Sequence, residues 1–519
     1  MTNLILFFLV IQVIHFLGTW KLYKKAGRQT WEAAIPIYNA YVLTKIINRP
    51  WWWVILLFIP IINLLMFPAF WVETVRSFKK EKTSDVLLAT FTLGLYVLFI
   101  NYFEDVAYQK ERQLKPHTKA GDWITSIVFA IIAATIVHTY IMRPYTIPTS
   151  SLEKSLLVGD YLFVSKFHYG ARTPKTALAF PMVHDTLPIP FTGVRFKSYI
   201  KDVQLPYFRF PGLQRIKRND IVVFNWPTDT VRFFRDNSGI HAFKPLDKKS
   251  NYVKRCVGIA GDSLEIKDGY IFINGKQTVL PDRAKPQFHY TIDTGGKKVN
   301  LQRFIEKYDV TEGGQLPNGK LLLNLTKEAA DFLKKQKSIK SITQNIDSAG
   351  KFEKRIFPHD PQYTWSKDNF GPIYIPKKGD QVTLDSKNIS FYKRIIKEYE
   401  NNDLTLDGDT YYINGEAVNT YTFKQDYYWM MGDNRHNSED ARYWGYVPFD
   451  HVVGKPVFIW FSIENNDPRN PKSLFKRIRT ERIFTTVHFD GEPKSYLIHF
   501  IIFIVLLYVI SYFRKKRNS

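Results

Sequence analysis

Three short strings in this chain carry residue types able to break a peptide bond. In the first, Pro148 is followed by Thr149, Ser150 and Ser151, and then by Leu152, Glu153, Lys154 and Ser155. Hydroxyl residues after a proline most often make turns or helix caps. A serine becomes a nucleophile only where a base takes its proton. The second string, 252–262, offers such a base in Lys254, which alternation places on the strand face opposite Val253. Most strand lysines are simply solvated. A buried one loses solvation of its charge, its pKa falls, and it can act as a general base at near-neutral or mildly alkaline pH. The third string, 430–448, is dense in small polar and charged residues and suits a loop that shapes a site. It contains Gly432, Asp433, Asn434, Arg435, Ser438, Asp440 and Arg442. The 12 histidines show no spacing that forces a Ser-His-Asp triad and no His-Glu-x-x-His zinc motif. The third string also lacks the spacing of an EF-hand. No metal and no cofactor are therefore expected. Cys256, two residues beyond Lys254, reads as a small core residue rather than a nucleophile.

These strings must be positioned by a chain of 519 residues, long enough for several domains. With 72 Lys+Arg against 48 Asp+Glu it carries a formal charge of +24, which nominates nucleic acid or an anionic membrane surface as partner. At 45% hydrophobic residues it is too apolar for a disordered polycation, and its single cysteine excludes an internal disulfide framework. Five apolar stretches, 3–20, 51–75, 86–103, 123–142 and 496–513, approach the length of a membrane span, several with interfacial aromatics such as Trp51, Trp71, Trp123 and Tyr496. The first lacks a positive n-region and a small-x-small site, and reads as a retained anchor. Lys and Arg residues after it, and Arg514 to Arg517, favour the cytoplasmic side, which puts the chain outside after the fourth span. The basic loop at Arg76, Lys79, Lys80 and Lys82 runs against that count, and Pro60 and Pro68 allow 51–75 to be a re-entrant pair.

The expected fold is membrane-anchored and mainly β. The domains are a multi-span helical region at 1–122, a transmembrane helix at 123–142, an extracytoplasmic β-rich domain at 143–494 and a C-terminal transmembrane helix at 496–513. Strands are expected at 220–224, 269–273, 389–392 and 408–413, with hairpin turns at Asn274-Gly275, Asn318-Gly319 and Asn414-Gly415. A helix is expected at 326–335, inside an insertion spanning about 280–404 that bears no motif.

The three strings, with the strand at Asp220 to Phe224 between the first two, occur in the order found in bacterial type I signal peptidases, which this chain resembles. The run from Gly432 to Gly445 is the most specific match. The resemblance implies an all-β catalytic domain in which Ser151 is the nucleophile and Lys254 the general base. Thr149 and the Ser151 N–H would form the oxyanion hole, and Ser438 would orient the lysine. Asp433, Asp440, Arg442 and Arg255 would be structural support. Where the family commonly has Ser-Met-x-Pro-Thr, this chain reads Ser151-Leu152-Glu153-Lys154-Ser155. A different turn is expected there, since proline fixes φ and lysine does not.

The implied activity is that of a serine endopeptidase cleaving signal peptides from exported preproteins at the outer face of the cytoplasmic membrane. Its partners would be preprotein signal peptides, the lipid bilayer and the secretion translocon. No nucleic-acid motif accompanies the charge. The alternatives are a Ser-Lys membrane protease with another substrate, and an inactive membrane-anchored scaffold. The paired Ser151 and Lys254 count against the scaffold.

Overall fold

The alternating apolar residues of the polar middle of the chain build antiparallel sheets, as the sequence pattern requires. The computed structural model describes residues 2–115, 118–192, 194–231, 241–297, 310, 312–466, 471–487, 491 and 493–518. They form two compact units. One comprises Met1–Ile141, Ala171–Phe210 and Thr230–Lys248, and the other Met142–Gly170, Pro211–Asp229 and Lys249–Ser519.

The second unit holds all three chemical strings. Its main sheet is made of β1 (Met142–Thr146), β2 (Asp160–Ser165), β3 (Ile221–Asn225) and β4 (Asn251–Gly258), with four later strands. Further strands are β5 (Ser263–Lys267), β6 (Tyr270–Ile273), β7 (Lys276–Gln277), β8 (Gln287–Asp293), β9 (Gly313–Gln315), β10 (Leu321–Thr326), β11 (Ser341–Gln344) and β12 (Phe370–Tyr374). The later strands of the main sheet are β13 (Tyr427–Met431), β14 (Val447–Pro448), β15 (Val452–Ser462) and β16 (Thr485–Thr486). The main sheet runs β1-β2-β15-β3-β4-β13-β14, with β16 on β15. Every residue of β3 is buried, and its side chains divide between two cores. Ile221 and Val223 pack with Ile147, Leu152 and Val453, while Val222 and Phe224 pack with Cys256, Met430 and Trp444. A strand buried on both faces explains why 221–224 is a continuous apolar run rather than an alternating one.

Two four-stranded sheets, β12-β5-β6-β7 and β9-β10-β8-β11, also belong to this unit, with a three-stranded sheet at 404–418 and a two-stranded one pairing Gln381–Thr383 with Thr420–Thr422. The turn joining β6 to β7 has both Asn274 and Gly275 at positive φ, as a type I′ hairpin demands, and Asn414-Gly415 repeats it. The helix expected at 326–335 is Lys327–Lys334, with Leu333 against the second small sheet. One strand expectation fails: residues 389–392 belong to the helix Ile389–Arg394, which continues as a π turn, Ile395–Tyr399. The buried residues there are Tyr392, Ile395, Ile396 and Tyr399, a helical i, i+3, i+4, i+7 stripe that four residues were too short to display.

The first unit is helical through most of its length, so the whole chain is mixed helix and sheet rather than mainly β. Helix α1 covers Thr2–Lys25. Among the described residues two helices are long and apolar enough to cross a membrane, α2 (Lys119–Ile141) and α3 (Leu497–Asn518), whose apolar part is Leu497–Arg514. The stretches 51–75 and 86–103 are not single straight helices. The first breaks into Trp53–Leu57 and Asn63–Ser77, with Ile61 between them at positive φ. The second breaks into Thr83–Phe91 and Leu95–Phe103, bent by 119°. Gly94 permits that bend: it has positive φ and lies so close to Trp71 that a side chain there would clash. Within the unit, buried Glu73 is held by Arg49 at 3.0 Å, Arg76 at 3.1 Å and the Arg112 guanidinium.

Candidate active site

The turn after β1 is pinned before any chemistry is considered. Ile147 and Leu152 are drawn into the core beside β3, and Leu156 follows them. Between these anchors Ser150–Leu152 forms one 3₁₀ turn, which holds Ser151 at 7% exposure while Thr149, its N-cap, stays exposed. The turn closes through the Glu153 N–H on the Ser150 carbonyl and the Leu156 N–H on the Leu152 carbonyl. Lys154 stands at φ 71°, a conformation closed to the proline usual in the resembling family. The expected difference in this turn is therefore present. Burial raises the carboxyl of Glu153 to about 7.

Strand β4 packs against this turn and carries Lys254, paired with Val222 of β3 and 3% exposed. Its neighbours alternate as expected: Tyr252 and Cys256 join one core, and Val253 joins the other. Among the described residues Lys254 Nζ has no hydrogen bond or ion pair, and it lies 5.9 Å from the centre of the Tyr252 ring. Burial lowers its pKa to about 8, partly opposed by the Asp440 carboxylate. An amine with that value is substantially neutral at mildly alkaline pH, as a general base must be. Cys256 is fully buried, its thiol pushed up by desolvation, which makes it a core residue and a poor nucleophile.

Strand β13 pairs with β4 and delivers the third string to the same place, with Met431 opposite Arg255. Gly432 begins the loop. A Cβ at this position would collide with the Ser438 hydroxyl and the Ser151 carbonyl oxygen, so only glycine lets these two segments approach. The Asn434 N–H donates to the Ser151 carbonyl at 3.1 Å, and the Asn434 amide donates to the Ser150 carbonyl at 3.2 Å. Ser438 Oγ is buried without a hydrogen-bond partner among the described residues. A buried hydroxyl left unpaired is costly and points to a group it is built to meet.

Two buried ion pairs hold the frame. Arg255 grips Asp433 with two N–H donors at 2.8 and 2.6 Å, and the Ser155 hydroxyl donates to the same carboxylate at 2.5 Å. One residue from each string thus meets at Asp433. Although burial alone would raise this carboxyl, the Arg255 guanidinium holds it below the usual range. Arg442 grips Asp440 in the same bidentate way, both bonds at 2.8 Å, and also donates to the Arg435 carbonyl at 2.7 Å. Asp440 in turn accepts the Gly432 N–H at 3.1 Å. Neither carboxylate bonds to Lys254, which agrees with a supporting rather than a chemical part.

The structure thus brings Ser151, Gly432 and Ser438 together beside the strand of Lys254, and it leaves Thr149 at the exposed lip. Sequence reasoning missed Asn434, Asn437, Ser155 and Glu312. The first three lie inside the recognised strings, so their proximity was available but their bonds were not. Glu312 comes from the insertion, and no local pattern marks it. Its carboxylate accepts the Ser150 hydroxyl at 2.5 Å and the Asn437 amide at 2.6 Å.

The family described as "Signal peptidase, peptidase S26" matches residues 120–327 and 373–461. A family of unknown function, DUF5684, matches residues 31–111. A Signal peptidase I of Buchnera aphidicola is 25% identical over 350 residues, covering 67% of this chain and 79% of its own. One from Helicobacter pylori is 26% identical over 384 residues, covering 72% and 93%. One from Haemophilus influenzae is 22% identical over 388 residues, covering 73% and 79%.

Proposed function

The chain belongs to the signal peptidases of peptidase family S26, and from that premise we propose that Ser151 and Lys254 form the dyad of a membrane-bound serine endopeptidase. Its activity is the removal of signal peptides from preproteins. Neutral Lys254 takes the Ser151 proton as Oγ attacks the scissile carbonyl carbon. The tetrahedral oxyanion is held by the Ser151 N–H and the Thr149 hydroxyl. Lys254, now protonated, gives its proton to the departing amine, and an acyl-enzyme on Ser151 remains. Water, deprotonated by Lys254, releases the signal peptide and restores the serine. Ser438 directs the lysine amine, and the pairs Asp433–Arg255 and Asp440–Arg442 hold the loop. The observation that carries this reading is the burial of Lys254, with no ion pair among the described residues, on the strand that packs against the serine turn.

The enzyme sits in the cytoplasmic membrane as a multi-pass protein with the catalytic unit on the outer side. Support comes from α2, which ends just before β1 in sequence, and from α3 with its basic tail. A preprotein's scissile bond lies just past its own apolar helix, so a shared interface confines enzyme and substrate and raises their effective concentration. Coupling to the secretion translocon follows from that placement. The test compares wild type, Ser151→Ala and Lys254→Ala in detergent on a preprotein bearing its signal sequence. Both variants lose cleavage while remaining folded. Wild-type cleavage by Ser151→Ala removes the assignment.

A further inference from the structure

The insertion is stitched to the catalytic loop along its backbone. The Gln287 N–H at the start of β8 donates to the Asp433 carbonyl at 2.8 Å, and the Arg435 N–H returns to the Gln287 carbonyl at 2.9 Å. From β10, the Asn324 amide donates to Asn434 Oδ1 and to Gln287 Oε1, each at 2.9 Å. The Asn324 N–H also fixes the Glu312 carbonyl at 2.9 Å. That bond leaves the Glu312 side chain reaching the serine turn from a braced support. One of its oxygens accepts both the Ser150 hydroxyl, at 2.5 Å, and the Asn437 amide, at 2.6 Å. The other lies 3.4 Å from the Asn434 amide. A single carboxylate therefore joins the residue before the nucleophile to the loop whose N–H holds the nucleophile's carbonyl.

We propose that Glu312 is a positioning residue for the cleavage reaction, acting through Ser150 to fix the rotation of the 149–151 turn. This rests on Ser151 being the nucleophile. Charge-assisted bonds to one carboxylate oxygen are short and directional, and Ser150 and Ser151 share one peptide unit. Holding Ser150 sets where Ser151 Oγ points and where its N–H meets the oxyanion. Among the described residues Glu312 makes no bond to Lys254, and its bonds go to the serine turn and the catalytic loop, so its removal affects the geometry of attack. It leaves ground-state binding and the titration of the base as they are.

The experiment measures kcat, KM and the pH profile of the full chain in detergent on a preprotein, for wild type, Glu312→Ala, Glu312→Gln and Ser151→Ala, with thermal unfolding followed in parallel. Glu312→Ala lowers kcat roughly 10- to 100-fold, the scale of a misplaced reacting atom. KM stays within about twofold, and the acid limb of the pH profile keeps its position. Glu312→Gln recovers most of the loss, because its amide oxygen still accepts from Ser150 and Asn437. Wild-type kcat in Glu312→Ala, a loss confined to KM, or no recovery in Glu312→Gln overturns the proposal. Where Glu312→Ala unfolds, Asn437→Asp decides. It sets two carboxylates against each other and lowers kcat, and adding Glu312→Gln restores it. Wild-type kcat in Asn437→Asp, or no restoration, overturns the proposal. Activity in Ser151→Ala would instead strike the nucleophile assignment.

Discussion

Replacing Lys254 with methionine should make this enzyme more stable at neutral pH and inactive at every pH. Burial takes the amine from its ordinary 10.5 to about 8. A shift of about 2.5 units corresponds to roughly 3 kcal/mol of differential interaction between the charged and neutral forms. The folded state binds protons less tightly than the unfolded state. The cost is therefore fully present below pH 8 and fades as pH rises towards 10.5, so stability increases with pH across that window. Methionine fills similar volume without charge and removes the cost, giving a gain of up to about 3 kcal/mol at pH 7 that shrinks at pH 10. In the wild type the same shift sets the rate. About one lysine in 11 is neutral at pH 7, against about one in 3,000 for an unperturbed amine, so kcat/KM rises about tenfold per pH unit up to an inflection near 8. The assays are denaturant unfolding of both proteins at pH 7 and pH 10, and kcat/KM from pH 5.5 to 9.5. A flat profile through this range, or a Lys254→Met protein less stable than wild type at pH 7, would refute the burial argument.

Three further substitutions probe the frame. Gly432→Ala should cost about 1–3 kcal/mol of stability by overpacking and lower kcat as well, since its Cβ must displace the Ser438 hydroxyl or the Ser151 carbonyl; unfolding and turnover read both effects. Ser438→Ala should raise stability by roughly 1 kcal/mol, because it deletes a buried hydroxyl that has no partner among the described residues, yet move the inflection of the pH profile or lower kcat; an unaltered profile with unaltered kcat would remove its part in directing the lysine. Thr149→Val should lower kcat by roughly 100-fold with little change in KM, measured by steady-state cleavage, as expected for one lost oxyanion donor.

The catalytic strings were legible through the resemblance of their residues and order to a known family, and parts of the fold through local pattern. The apolar run at β3 announces a strand buried on both faces, and Asn274-Gly275 announces its hairpin. Gly432 sits where no side chain fits. Lys254 was legible only as a type: alternation placed it on a face, but its burial depends on Tyr252, Cys256 and the residues of β3 and β13, which lie far apart in sequence. The helix at Ile389–Arg394 was misread because its buried stripe extends through Tyr399, beyond the short run taken for a strand. In 51–75 the break near Ile61 adjoins Pro60, which the sequence offered as a breaker, whereas in 86–103 apolar content gave no sign of the bend at Gly94, which is set by backbone conformation. Glu312 was invisible for a different reason. Its contacts are with Ser150 and Asn437, and an isolated glutamate before two glycines carries no periodic or capping signal.

The most direct test of the central claim is to trap the acyl-enzyme. The full chain is treated in detergent with a serine-acylating inhibitor of peptide-like shape at pH 8.5, then mapped by mass spectrometry with Ser151→Ala and Lys254→Met alongside. The predicted result is one adduct on Ser151 in wild type and none in either variant. An adduct on Ser150 or Ser438, or one that persists in Ser151→Ala, would contradict the account.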